Sequence, residues 1–165
     1  MDFYTSYYAN IKNIPGDYAA IGISRFCPDW LEKGNGPSNF YFWEDNQFAP
    51  SVGLHDDMKH RGLSEKEYAA RYYGELDGRF HFTLDSGKQL FDYIGTLSHR
   101  FFDYNAIVFL CYERQEDFCH RKVLSAILRY FGFQIEELPC VKSENKSIEA
   151  VGTKTKKSPG ANALF

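Results

Sequence analysis

A chain of 165 residues, 44% hydrophobic and 18% aromatic, has apolar material for one core and no length for a second. Residues 142–165 hold five lysines against two glutamates, so the overall charge of −3 leaves −6 on residues 1–141, and an acidic body argues against broad binding to duplex DNA, which needs many Lys and Arg contacts to phosphate. The four cysteines are too sparse for a disulfide scaffold, Met1-Asp2-Phe3-Tyr4 does not open a cleavable leader, and no apolar run nears the roughly 20 residues of a membrane helix; a cytoplasmic protein with reduced thiols and no membrane partner is expected.

Two short aromatic segments, residues 3–9 and 18–24, are separated by the turn residues Asn13, Pro15 and Gly16 and read as strands. Residues 25–50 interleave prolines and glycines with Trp30, Phe40, Tyr41, Phe42, Trp43 and Phe48. This is a long excursion with a short helix at 29–32, whose aromatics either wall a pocket or cover a sheet edge. Ser64 opens a capping box with Glu67, and Tyr68, Tyr72 and Leu76 follow at helical spacing, so a helix is expected over 65–76. Ser86 opens another that carries Leu90, Ile94 and Leu97 and ends near Phe102.

The continuous run 106–110, Ala-Ile-Val-Phe-Leu, has the pattern of a central strand covered on both faces. Asp117 is placed to cap a helix with the stripe Val123, Leu124, Ile127, Leu128 and Phe131, and Gly132 to end it in a left-handed cap. Residues 133–138 then fit a strand, reached by a right-handed crossover. The fold implied is one compact α/β domain over residues 1–141, three-layer and Rossmann-like with a mostly parallel central sheet. A mobile, lysine-rich tail follows over 142–165.

In such a sheet, ligands bind beyond the carboxyl ends of the strands, and the loop from Cys111 leaves that end of the central strand. Cys111 and Glu113 share a side if the strand continues, while Cys119, His120 and Arg121 fall in the first turn of the next helix. The helix N-terminus favours an anion, and Arg121 has the geometry to grip a phosphate or carboxylate. The same field, with a neighbouring imidazole, lowers a thiol pKa, which makes Cys119 a candidate nucleophile; Glu113 is the acid or base and His120 completes the catalytic set. Cys111, Ser6, Ser24 and Arg25 are candidate ligand contacts at the same edge. The alternative is structural, with Cys119 packed and Arg121 paired to Glu113. No cofactor and no metal are expected: Cys111, Cys119 and His120 offer zinc ligands, but no Cys-x-x-Cys knuckle or separate His pair completes a familiar spacing. His55, Asp56, Asp57, His60 and Arg61 read as a solvated helix or turn.

Cys111-Tyr112-Glu113 followed by Cys119-His120-Arg121 resembles the domain-of-unknown-function family numbered 488, which has a Cys-x-Glu strand end and a Cys-His-Arg helix start. The resemblance extends over about residues 3–140, through Tyr4 to Asn10, Ile23-Ser24-Arg25 with Pro28 and Trp30, Phe48-Ala49-Pro50, and Glu67-Tyr68 with Tyr72. Where many relatives have a small residue after the Ser-Arg pair, Phe26 and Cys27 stand here. The resemblance implies a compact α/β fold with an active or binding site at these motifs. Three readings follow. One is an enzyme acting on a phosphorylated small molecule, a nucleotide or a nucleic-acid end. Another is a non-catalytic nucleotide or nucleic-acid binding module that stacks bases on Trp30, Tyr41 or Trp43. The last is a protein-interaction domain in which Cys-His-Arg is a structural knot.

Overall fold

Hydrogen-bonded pairing of five short strands organises the described residues, and all of these strands run parallel. A computed structural model describes residues 1–31, 36–43 and 46–140. Strands β1 (Asp2–Tyr7), β2 (Tyr18–Gly22), β3 (Phe40–Tyr41), β4 (Ala106–Cys111) and β5 (Ile135–Glu137) lie in the order β3-β2-β4-β1-β5. The apolar run expected at the centre is there: every residue of β4 is buried, between β1 and β2. Helices α1 (Val52–His60), α2 (Glu65–Phe80), α3 (Phe82–Asp85), α4 (Lys88–Arg100) and α5 (His120–Tyr130) flank the sheet in a Rossmann-like α/β arrangement.

The two faces are covered unequally, and strand order explains why. From β1 to β2 to β3 the chain steps toward one edge; from β3 to β4 to β5 it steps toward the other. Parallel crossovers keep one hand, so steps in opposite directions pass over opposite faces. All five α-helices accordingly pack with Phe3, Ile21, Ile107 and Phe109 on one face. On the other, Ala20, Val108 and Leu110 meet Tyr8, Ile11 and Ile14 from the first connection and Leu31 from the second. Among the described residues these two connections carry short 3-10 turns, Tyr8–Asn13 and Asp29–Leu31. The carboxyl end of β4 therefore lies between strands whose connections leave over the opposite face, which is the topological switch point where α/β sheets hold ligands.

Local departures from the sequence expectation have local causes. The first strand stops at Tyr7 instead of Ala9 because the chain turns at once, with Asn10 Nδ2 donating to Ser6 Oγ at 3.0 Å. Ser86 does not open the fourth helix: it sits at φ 57°, and Gly87, at φ 80°, precedes Lys88. A Cβ on Gly87 would lie 2.5 Å from the Phe131 ring, so glycine permits both the backbone angle and the contact. Asp117 does not cap α5; Cys119 does, while the Asp117 N–H closes a turn onto the Arg114 carbonyl. Gly132 has the left-handed conformation expected of it, at φ 89°. The Ser64–Glu67 capping box forms as read, and the polar residues 55–61 form α1 and its cap, held by Ser51.

Two aromatics of the 25–50 excursion, Tyr41 of β3 and Trp43 after it, pack on Phe101 at the end of α4, with ring centroids 4.8 and 6.3 Å away. Residues 32–35 and 44–45, and the tail at 142–165, lie outside the described residues. Among the described residues no helix is long and apolar enough to cross a membrane.

Leu124 is fully buried between α5 and the sheet. Leu124→Ala is expected to lower unfolding stability by about 2–5 kcal/mol, the usual cost of a core leucine truncation, measured by urea denaturation.

Candidate active site

Four side chains meet at the carboxyl end of β4. Cys111 ends the strand, Glu113 lies two residues on, and Cys119 and His120 begin α5; one ligating atom from each falls within 4.8 Å of the others. Strand alternation places Cys111 and Glu113 on one side, as expected, with Cys111 Sγ 2.6 Å from Glu113 Oε2. The two sulfurs are 3.0 Å apart. Both cysteines are buried, whereas Glu113 is partly exposed. Cys111 has a single proton to offer two acceptors, the Glu113 carboxylate and the Cys119 sulfur, so the cluster holds that proton in common.

The two thiols are driven apart electrostatically. Burial, then the hydrogen bond and charge at Cys119, push the Cys111 thiol well above the ordinary range. The hydrogen bond from Cys111, aided by the charge of Arg121, lowers the Cys119 thiol despite burial. Cys119 is therefore the sulfur that ionises first.

His120 does not act as the cationic neighbour that the sequence suggested. Its ring is buried edge-on to Tyr72 at 5.6 Å, and burial lowers its pKa to about 4, so it is neutral near pH 7. Its Nε2 lies 3.1 Å from the Ile23 carbonyl, which only accepts. Nε2 therefore carries the proton and Nδ1 keeps its lone pair.

Arg121, expected to hold a ligand anion, is wholly inside the protein. Its Nη1 donates to the carbonyls of Ser6 (2.7 Å) and Glu113 (3.1 Å), its Nη2 donates to that of Arg114 (3.1 Å), and Nη2 also pairs with Glu137 Oε1 at 2.8 Å. The anion it holds is Glu137 of β5, and the Glu113 contact is through the backbone carbonyl. Its Nε has no hydrogen-bond partner among the described residues. His120 and Arg121 thus brace the start of α5 in two directions, toward the end of β2 and toward β1.

The remaining candidates are near the edge but differently employed. Ser6 is buried, its Oγ accepting from Asn10. Ser24 gives its one proton to the Phe26 carbonyl at 2.7 Å, so the Tyr8 hydroxyl donates to Ser24 Oγ at 2.6 Å. Arg25 is exposed. A cavity of about 570 Å³ opens beside the end of β1, lined by Tyr7, Ala9, Arg114, Gln115, Glu116 and Cys140. Sequence reading missed Arg114 there, and also Tyr68 of α2. The buried Tyr68 hydroxyl is raised by desolvation first, then by the nearby Glu113, Cys111 and Cys119. In the sequence Tyr68 belongs to a helical apolar stripe, which signals only core.

Cys111, Glu113, Cys119 and His120 are also the residues that could hold a metal ion. The His120 bond to a backbone carbonyl suits a metal-binding imidazole. The sulfurs do not suit one as they stand: two thiolates at about 2.3 Å around tetrahedral zinc lie about 3.8 Å apart, against 3.0 Å here. That spacing suits a shared proton better.

Two outcomes are expected. Unfolded histidine binds a proton near pH 6.5 but buried His120 only near pH 4. Its contribution to stability is therefore complete above pH 6.5 and falls as the pH drops toward 4, by at most about 1.4 kcal/mol per pH unit. Urea unfolding across that range should show this slope in the wild type and a shallower one in His120→Phe. Arg121→Lys cannot serve the same carbonyls and should cost about 3 kcal/mol in the same assay; unchanged stability would contradict the bracing role.

Against known proteins, the chain matches a family model described as the active DUF488-N3 subclade over residues 4–132. Neither a curated protein nor a solved structure matches it. The match spans most of the chain, from β1 to the end of α5, and includes the whole Cys111–Glu113–Cys119–His120 cluster. The protein therefore belongs to the DUF488 family, in its DUF488-N3a subclade.

Proposed function

We propose that the protein is an enzyme acting on a phosphorylated small molecule, a nucleotide or a nucleic-acid end, with Cys119 as nucleophile. The observation that carries this reading is the sulfur pair: a helix-capping Cys119 held 3.0 Å from a thiol donor, beside a carboxylate that reaches the surface. Cys119 attacks the electrophilic carbon or phosphorus of the substrate, forming a bond through sulfur. The leaving group departs with the proton that Cys111 and Glu113 share. Glu113 then takes a proton from water, whose oxygen cleaves the sulfur bond and returns the thiolate.

Arg121 acts as a positioning residue in this scheme, since its guanidinium is spent on backbone carbonyls and Glu137, while His120 is oriented through Nε2 on the Ile23 carbonyl. Contact with the phosphate falls to exposed Arg25 beside Ser24, with Arg114 in the neighbouring cavity as a second cation. Of the aromatics considered for base stacking, Trp30 is half exposed, whereas Tyr41 and Trp43 are engaged with Phe101.

A thermal-shift screen against phosphate, nucleotides, dinucleotides and short single strands tests the reading. One class is expected to stabilise the protein, by about 2.7 kcal/mol at a hundredfold excess over Kd. Arg25→Ala should weaken that shift. Glu113→Gln and Cys119→Ser should retain it while losing turnover of the same ligand at least a hundredfold. If no class shifts the protein, and Glu113→Gln changes stability alone, the cluster is a structural knot and the enzymatic reading fails.

A further inference from the structure

Two thiols from different elements are held 3.0 Å apart in a buried site, and neither is in a disulfide. We propose that Cys111 and Cys119 are a reversibly oxidisable pair: a peroxide converts the Cys119 sulfur to sulfenic acid, and Cys111 closes it into a disulfide. The proposal rests on the reading of Cys119 as the reactive sulfur and assigns the same site a second, covalent state.

The residues on hand supply each step. The Cys119 thiolate attacks one peroxide oxygen; the S–O bond forms, the O–O bond breaks, and the departing hydroxide takes a proton from solvent to become water. Sulfur loses two electrons and peroxide gains them. Glu113, 2.6 Å from Cys111 Sγ, then accepts the Cys111 proton. The Cys111 sulfur attacks Cys119, so the S–S bond forms, the S–O bond breaks, and hydroxide leaves as water with the proton that Glu113 returns. A disulfide requires about 2.05 Å between sulfurs, so the pair closes by about 1 Å. An external dithiol reverses the bond by exchange. While it stands, the disulfide ties the end of β4 to the cap of α5 and removes the nucleophile.

The spacing singles out this pair. Cys140 instead accepts from the Tyr7 hydroxyl at 2.9 Å, and both Cys140 and Cys27 are partly exposed and outside the cluster. Glu113 is the proton acceptor because its carboxylate is in hydrogen-bond contact with Cys111.

Peptide mapping of the full wild-type chain tests this after brief treatment with hydrogen peroxide, unfolding and alkylation. Trypsin cuts after Arg100, Arg114 and Arg121, which separates Cys111 on residues 101–114 from Cys119 on residues 115–121. The expected product is these two peptides cross-linked and two hydrogen masses lighter, returned to separate peptides by dithiothreitol. Glu113→Gln should slow cross-linking relative to the loss of reduced Cys119, so that oxygen-bearing Cys119 accumulates first; an unchanged ratio removes Glu113 from the step. Cys119 carrying added oxygen while Cys111 stays alkylatable overturns the pair and spares the reactive Cys119. If both cysteines remain reduced and alkylatable, the pair and the reactive Cys119 fall together.

Discussion

The buried guanidinium of Arg121 is the interaction on which the site depends. It is a charge with no exposure to solvent, and it is compensated by three carbonyls and one carboxylate drawn from β1, the loop after β4, and β5. A charge so enclosed is strongly destabilising unless every partner is in place, so those segments are held in one arrangement. The loop from Cys111 to Cys119 is held at the Glu113 and Arg114 carbonyls, next to the carboxylate and the two thiols of the cluster.

His120 adds the second brace. Successive residues on a helix point about 100° apart, so Cys119, His120 and Arg121 cannot all face one ligand. Cys119 and His120 both bring an atom to the cluster, while His120 Nε2 meets the Ile23 carbonyl just past β2 and Arg121 reaches the Ser6 carbonyl on β1. The motif is therefore divided: Cys119 and His120 belong to the cluster, and Arg121 is enclosed behind it by carbonyls and Glu137. Cys119 gains its acidity from the Cys111 hydrogen bond and the Arg121 charge, and the His120 imidazole is neutral near pH 7.

Much of this was legible in the residues. The run 106–110 announced the central strand because burial on both faces leaves no polar position, and the strand–helix–strand pattern after it implied a parallel sheet with a site at the strand end. The spacing of Cys111 and Glu113 gave their common side. Less was legible where the deciding partner is distant in sequence. Arg121 reads as a ligand for anions until Glu137 and the Ser6 carbonyl are brought to it, and Tyr68 reads as core until α2 is laid across the cluster. Strand β3, two residues long, has no pattern to read, and the cap of α5 shifted from Asp117 to Cys119 because a backbone turn claimed Asp117 first. The uneven covering of the sheet follows from strand order, which periodicity does not encode.

The chemistry proposed for the cluster turns on the state of one sulfur, that of Cys119. The most direct measurement is the ultraviolet absorbance of thiolate as a function of pH, taken as the difference between the folded wild type and a folded Cys119→Ser variant. The structure predicts a difference equal to one thiolate, ionising below the ordinary thiol range and shifting upward when Cys111 is replaced by alanine. A difference curve that rises only at or above the ordinary thiol range, unmoved by that replacement, would contradict it.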